Sequence, residues 1–281
     1  MAAALLAGLA FAQGAAAQGI LGRYEFSAET AQQWRLPDKL NEISGLTLTG
    51  DQRLLAVTDE LAIVYELDSS EGRLVKAFAL GDPTLRGDFE GIAWSDGRVW
   101  LVTSEGVIYE ASEGEDGERV TYREYDTDVG KRCEIEGLTY RKSDGMLLLL
   151  CKKIRKKSGL KGLVIFAWST SGRITVSEKT LALPDRDIAI ALRMNRLNPS
   201  GITIDDPSGN LLIVAARQRA VIELDGGGSL LSTSLLPAAA HRQAEGIAIL
   251  PSGDILIADE GGGHRARLAV YSPTDPSASR E

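Results

Sequence analysis

Five times along the chain, an oxygen-bearing residue and a glycine precede a short apolar-rich strand. The copies are ISGLTL at 43–48, FEGIAW at 89–94, IEGLTY at 135–140, PSGITI at 199–204 and AEGIAI at 244–249. Their glycines, Gly45, Gly91, Gly137, Gly201 and Gly246, stand 46, 46, 64 and 45 residues apart. A period in the forties with several short strands per unit is the signature of β-propeller blades. In the second unit GIAWS, RVWLVTS, GVIYEAS and RVTYREY read as four strands, rich in β-branched and aromatic residues and separated by Gly, Asp or Ser turns. GITID, NLLIVAA, AVIELD and SLLSTSLL repeat the pattern in the fourth.

Closure sets the number of blades. Residues 246–272 supply three strands of a last unit, and RYEFS at 23–27 supplies an orphan strand before the first glycine. Joining them completes one blade from both chain ends and leaves no unfinished sheet edge. The long interval holds a basic loop, CKKIRKKSGLKG, and a short amphipathic helix within LPDRDIAIALRMNRLNP. Its surplus of about 18 residues is too short for another blade. The expected fold is all-β: a five-bladed β-propeller of four-stranded antiparallel blades, with six blades as the alternative. Residues 18–281 would form one propeller domain, since 281 residues at 44% hydrophobic content can bury a large single core.

If each glycine opens the innermost strand, residues at equal offsets from it form rings around the pore. One position before it stand Ser44, Glu90, Glu136, Ser200 and Glu245, and three before it Glu42, Asp88, Glu134, Asn198 and Gln243. The position between is apolar throughout: Ile43, Phe89, Ile135, Pro199 and Ala244. Alternation puts the polar columns on one face and the apolar column on the other. The glycine allows close backbone approach or an unusual φ where inner strands converge. Three glutamates facing one another across about 6–8 Å repel by roughly 2–3 kcal/mol per pair at an effective dielectric of 20. Raised pKa values, an ammonium or guanidinium from another strand, or a bound cation would neutralise them. Carboxylate, amide and hydroxyl oxygens without His or Cys suit Ca²⁺, with Mg²⁺ as an alternative that demands tighter geometry. The metal-ligand candidates are Glu90, Glu136, Glu245, Glu42, Asp88, Glu134 and Asn198. The other arrangement is an ion-free, water-filled pore with the acids hydrogen-bonded to backbone N–H groups.

A further column closes the second strand of each unit: Asp59 and Glu60, Glu105, Lys152 and Lys153, Arg217, then Asp259 and Glu260. Three units supply acid and two adjacent ones base. Such a mouth is polarised, able to hold a cation on one side and, through Lys152, Arg217, Arg219 and Arg132, an anionic ligand on the other. Solvated loop charges pairing with each other are the competing explanation. Cys133 and Cys151 fall in one unit, as a disulfide or as two buried thiols. His241 is either a proton carrier near the mouth or a surface-loop residue. With only two histidines a His-rich zinc site is excluded, and neither a G-x-S-x-G elbow nor a phosphate-binding loop is present.

A net charge of −8 and a pI near 5.0 exclude a general nucleic-acid binder. MAAALLAGLAFAQGAAAQG has the apolar stretch and small-residue cleavage site of an export signal over residues 1–17, although a basic start is missing. The apolar run, about 12 residues, is shorter than the ~20 a bilayer span needs. Uncleaved, it would be a tail capable of peripheral membrane association.

The series EISGLT, DFEGIAW, EIEGLTY, NPSGITID and QAEGIAIL, with LLIVAARQRAVIELD, resembles the SdiA-regulated, YjiK-like family of exported β-propellers over roughly residues 22–272. NPSGITIDDPSGNLLIV is also similar to the gluconolactonase/regucalcin class, whose motifs place Glu and Asn before glycine around a catalytic divalent metal. Ser200 stands where that class has Asn. The family resemblance implies a calcium-binding propeller, in a group whose members are sometimes classed with phytase-like esterases. The expectation is thus an exported, periplasmic or extracellular monomer that binds Ca²⁺ and a small anionic molecule at its mouth. It would act either as a metal-dependent esterase, lactonase or phosphoesterase, or as a non-catalytic module for an unidentified protein partner.

Overall fold

The computed structural model describes residues 19–193 and 197–274, so residues 1–17 lie outside it. Its strands group into five small sheets. Blade 1 runs Ile43–Leu48, Leu54–Thr58, Ile63–Leu67 and Leu74–Leu80, and blade 2 Phe89–Ser95, Arg98–Thr103, Val107–Ser112 and Tyr122–Asp126. Blade 3 runs Cys133–Arg141, Met146–Ile154 and Leu163–Ser169, whose far side pairs with both Ile174–Thr175 and Leu181–Leu183. Blade 4 runs Gly201–Asp205, Asn210–Ala215, Ala220–Leu224 and Leu230–Leu235. Blade 5 takes Ala244–Ile249, Ile255–Asp259 and Arg267–Tyr271 from the C-terminal end and Gln32–Arg35 from the N-terminal end. The first strands touch one another in cyclic order and form the inner ring.

Two sequence expectations change in detail. The closing strand is Gln32–Arg35, paired antiparallel with Arg267–Tyr271, and not RYEFS at 23–27. The aromatic residues that make RYEFS read as a strand instead pack a strap across the outside of blade 5. Tyr24 is buried with its hydroxyl donating to the Gly253 carbonyl at 2.5 Å, and the Phe26 ring sits 4.9 Å from Tyr271. RVTYREY also splits. Arg119–Val120 adds in parallel to blade 1 at Ala79–Leu80, and only Tyr122–Asp126 completes blade 2.

Middle strands are covered on both faces by neighbouring blades, which is why MLLLLC, NLLIVA and ILIAD are nearly continuous apolar runs. The core is accordingly divided into five inter-blade clusters among the described residues. Between blades 2 and 3, for example, Trp100 and Val102 face Leu147, Leu149 and Trp168. Each fully buried side chain of this kind contributes about 1.5–3 kcal/mol. The long third interval forms helix α1 (Asp185–Leu192), whose Ile188 and Leu192 join the cluster between blades 3 and 4. Where the strap begins, the fully buried Glu223 accepts the backbone N–H groups of Ile20 (2.7 Å) and Leu21 (3.2 Å), fixing the start of the described chain to blade 4.

Candidate functional site

The motif glycines touch each other around the ring. A Cβ on Gly45 would lie 3.1 Å from Gly91 Cα, one on Gly91 would lie 2.5 Å from Leu138 N, and one on Gly201 would lie 2.3 Å from the Glu245 carbonyl oxygen. One on Gly137 would meet Ile202 and Gly201, and one on Gly246 would meet Leu46 and Gly45, which closes the circle. None of the five has a positive φ. Of the two reasons for glycine, close approach is therefore the one that applies.

At four of the five glycines the ladder slips, blade 4 being the exception, where pairing begins in register at Gly201. Ile43 faces Thr58 but Gly45 faces Val57, and the same shift occurs at Phe89/Gly91, Ala244/Gly246 and between Ile135 and Leu138. Ser44, Glu90, Glu136 and Glu245 thus sit in β-bulges, which kink the strand and re-aim the bulged side chain. The apolar column behaves as alternation predicts, with Ile43, Phe89, Ile135 and Ala244 buried between blades. The polar columns separate into two tiers. Glu136 is buried and Glu90 and Glu245 are half-buried, whereas Glu42 and Asp88 are exposed and Glu134, Asn198 and Gln243 are intermediate.

In the inner tier the two serines are taken by the backbone. Ser200 Oγ donates to the Ala244 carbonyl at 2.6 Å, and Ser44 Oγ makes a longer contact with Val57. The three glutamates remain. The space among Glu90, Glu245 and the glycines is only about 10 Å³, about what one water needs. The Lys152 ammonium reaches in to form an ion pair with Glu136. Burial pushes Glu90 up to about 9, with repulsion from Glu136 and Asp88 adding to it and Lys152 opposing. Burial likewise raises Glu245 to about 8 and Glu136 to about 7, the latter against the pull of Lys152. Burial lowers the Lys152 pKa, but Glu136, Glu245 and Glu90 outweigh it and leave the ammonium firmly charged. One lysine does not neutralise three carboxylates.

The pairing register sorts the second-strand column. Asp59 follows Thr58, and the equivalent positions are Ser104, Lys152, Ala216 and Glu260. Asp259 belongs one step earlier, with Thr58, and is not a mouth ligand. It is buried, its Oδ2 lies 2.7 Å from His241 Nδ1, and its Oδ1 accepts the N–H groups of Arg242 and Gln243 at 2.8 and 3.0 Å. His241 is itself buried, with Nε2 2.7 Å from the Tyr271 hydroxyl, so it is neither a mouth proton carrier nor a surface residue. Glu105 is exposed one residue beyond the mouth register, and the residue in its expected place, Ser104, donates a hydrogen bond to Asp88. The Asn198 side-chain oxygen accepts from Gln218 Nε2 at 3.4 Å, and its backbone N–H donates to Gln218 Oε1 at 3.1 Å. Arg217 is exposed on the blade 4 rim.

In register the column has acids only on blades 5 and 1 and one base on blade 3, with Ser104 and Ala216 at the blade 2 and blade 4 positions. Blade 3 pairs its acids internally, Glu136 with Lys152 and Glu134 with Lys153 at 3.6 Å. On blades 5, 1 and 2 no described cation answers Glu42, Asp59, Glu60, Asp88 or Glu260 through an ion pair. Burial, then Glu42, Glu60 and Asp88, raise Asp59 to about 6, and its Oδ1 is buried without a hydrogen-bond partner. Glu260 is raised by burial and by Asp59, while accepting a hydrogen bond from Gln243. Among the described residues, no three Asp, Glu, His or Cys side chains enclose a common ion position as they stand. The donor set is nevertheless all oxygen, one oxygen is orphaned, and Glu42 and Asp88, the latter accepting from Ser104, are exposed side chains whose charges act on it. The residues fit a hard cation. Cys133 and Cys151 form a disulfide with Cα atoms 5.8 Å apart, tying the entry of blade 3 to the strand that carries Lys152.

The SdiA-regulated family model matches residues 20–262. The chain belongs to the SdiA-regulated family. No curated protein sequence matches it. Among solved structures this family member is similar to the glutaminyl cyclase of Myxococcus xanthus (TM-score 0.57, 16% identity, 87% of this chain and 97% of that one). It is also similar to a luciferin-regenerating enzyme (0.54, 12%, 86% and 95%) and to the PQQ-bound aldose sugar dehydrogenase of Streptomyces coelicolor (0.53, 13%, 88% and 99%). At these identities the likeness carries the fold alone.

Proposed function

We propose that this propeller binds a divalent cation, Ca²⁺, on the acidic side of its mouth, and a small anionic molecule between that cation and the basic side. The observation that carries the reading is the buried, unpartnered Oδ1 of Asp59, surrounded by Glu42, Glu60 and Asp88. Asp59, Glu42, Asp88 and Glu90 would hold the ion. Flexible, all-oxygen donors on separate blades suit Ca²⁺ better than the tight octahedron of Mg²⁺. Lys152 pairs with Glu136 and opposes its protonation, and Lys153 and Arg217 supply the field that draws an anion to the opposite rim. A cation there supplies charge that can polarise a carbonyl or phosphoryl oxygen, which makes hydrolysis of a small ester, lactone or phosphoester the enzymatic form of this proposal. The small central space favours a second form, in which the ion only stiffens the ring. The disulfide supports work in an oxidising compartment, in keeping with export.

Thermal unfolding of chelator-treated protein, followed by Ca²⁺ or Mg²⁺ titration, tests the site. At 100-fold excess over Kd, binding adds about 2.7 kcal/mol, so Ca²⁺ should raise the Tm by several degrees and Asp59→Asn should remove the rise. Unchanged Tm in the unmutated protein would sink the proposal. Assays of lactones, aryl esters and phosphoesters with and without Ca²⁺ then separate the catalytic form from the structural one.

A further inference from the structure

The inner strands have a second end. Below the glycines, Leu46, Ile92, Leu138, Ile202 and Ile247 are all buried and form an apolar collar that closes the pore beneath the glutamates. Beyond the collar, the strand ends and hairpins of all five blades enclose a cavity of about 490 Å³, within the range of small-molecule sites. At about 3.3 Å per residue, Trp94 stands roughly 10 Å along the strand from Gly91, on the far side of the collar from the mouth.

Its walls combine two aromatic side chains, Trp94 and Tyr140, with a set of unused polar groups. The hydroxyls of Thr47, Thr139 and Thr203 make no hydrogen bond within the described residues, and Asp96, Asp206 and Lys142, also on the lining, form no ion pair there. The Trp94 ring is fixed from behind by Gly50, where a Cβ would lie 2.8 Å from the indole, and its Nε1–H lacks an acceptor.

These features narrow the ligand. A purely apolar molecule would strip water from three hydroxyls and leave them unsatisfied. An anion would meet two carboxylates against one ammonium. A molecule with an apolar ring face and many hydroxyls can stack on Trp94 and Tyr140 while exchanging hydrogen bonds with the threonines and donating to Asp96 and Asp206. We infer that this cavity is a second binding site, independent of the mouth, for a neutral polyhydroxylated ring, a small sugar or a cyclitol.

The test is titration of the whole protein with glucose, maltose and myo-inositol through the millimolar range, read by calorimetry and tryptophan fluorescence. At least one should bind saturably, with the same affinity in the presence of a chelator. Trp94→Ala should weaken binding by about tenfold or more, and Asp206→Ala, an exposed position that leaves the core intact, should also weaken it. No saturable binding of any of the three, or binding that survives both substitutions unchanged, overturns the inference. Binding abolished by the chelator overturns the independence of the site and assigns the ligand to the mouth.

Discussion

Lys152 carries one positive charge among three glutamates, and that imbalance governs how the ion-free protein responds to pH. Glu136, Glu245 and Glu90 have folded-state values of about 7, 8 and 9 against an ordinary 4.5. The folded state therefore binds more protons than the unfolded state between those limits. By linkage, stability is greatest below pH 4.5 as far as these groups are concerned, and is lost as the pH climbs through 7 to 9. In chelator, the Tm should fall across that window, and Glu90→Gln or Glu245→Gln should flatten the fall. A pH dependence identical to that of the unmutated protein would remove these residues from the cause. The glutamate ring was legible in the sequence because it repeats at a fixed offset from glycine. Lys152 was legible only as a mouth residue, since the reach of a long side chain into the neighbouring column is set by three-dimensional packing. Asp259 misled because a doublet of acids, Asp259 and Glu260, does not reveal which member is in register with Asp59.

At the scale of the strand, four of the five blade entrances are bulges, and at all five a glycine touches the next blade. At the entrances that carry Glu90, Glu136 and Glu245, the bulge re-aims the glutamate out of the strand's alternation. Gly201→Ala should be among the most damaging small substitutions in the chain, because its Cβ would lie 2.3 Å from the Glu245 carbonyl oxygen, a backbone atom that cannot rotate away. Overpacking of this kind costs about 1–3 kcal/mol. Denaturant unfolding of Gly201→Ala beside Gly97→Ala, a surface turn with nothing near its added Cβ but a φ of +74°, separates crowding from backbone conformation. A smaller loss at 201 than at 97 would contradict the glycine-ring account. The motif spacing made the glycines visible, but bulges leave no mark on spacing, and RYEFS shows how aromatic residues that pack a strap imitate a strand.

The five-fold ring and its closure from both termini were readable because spacing counts blades and the leftover strands had to add up to one. What spacing could not supply is the strap before the closing strand, in which Ile20, Leu21 and Tyr24 are buried against blades 4 and 5. A chain starting at Leu36 would lose these contacts and expose the edge of Arg267–Tyr271. At about 1.5–3 kcal/mol for each large apolar side chain, and 2–4 °C per kcal/mol, its Tm should drop by roughly 10 °C or more. Size-exclusion chromatography should reveal self-association through the open edge. A monomer that melts with the full-length protein would show that the terminal segment is dispensable.

Because Gln32–Arg35 has no partner until Arg267–Tyr271 exists, the two ends of one sheet are separated by nearly the whole chain. During synthesis the earliest closing strand must wait, unpaired, until the last blade leaves the ribosome. The ring therefore cannot lock on a truncated translation product, and an incomplete chain keeps an unpaired strand edge.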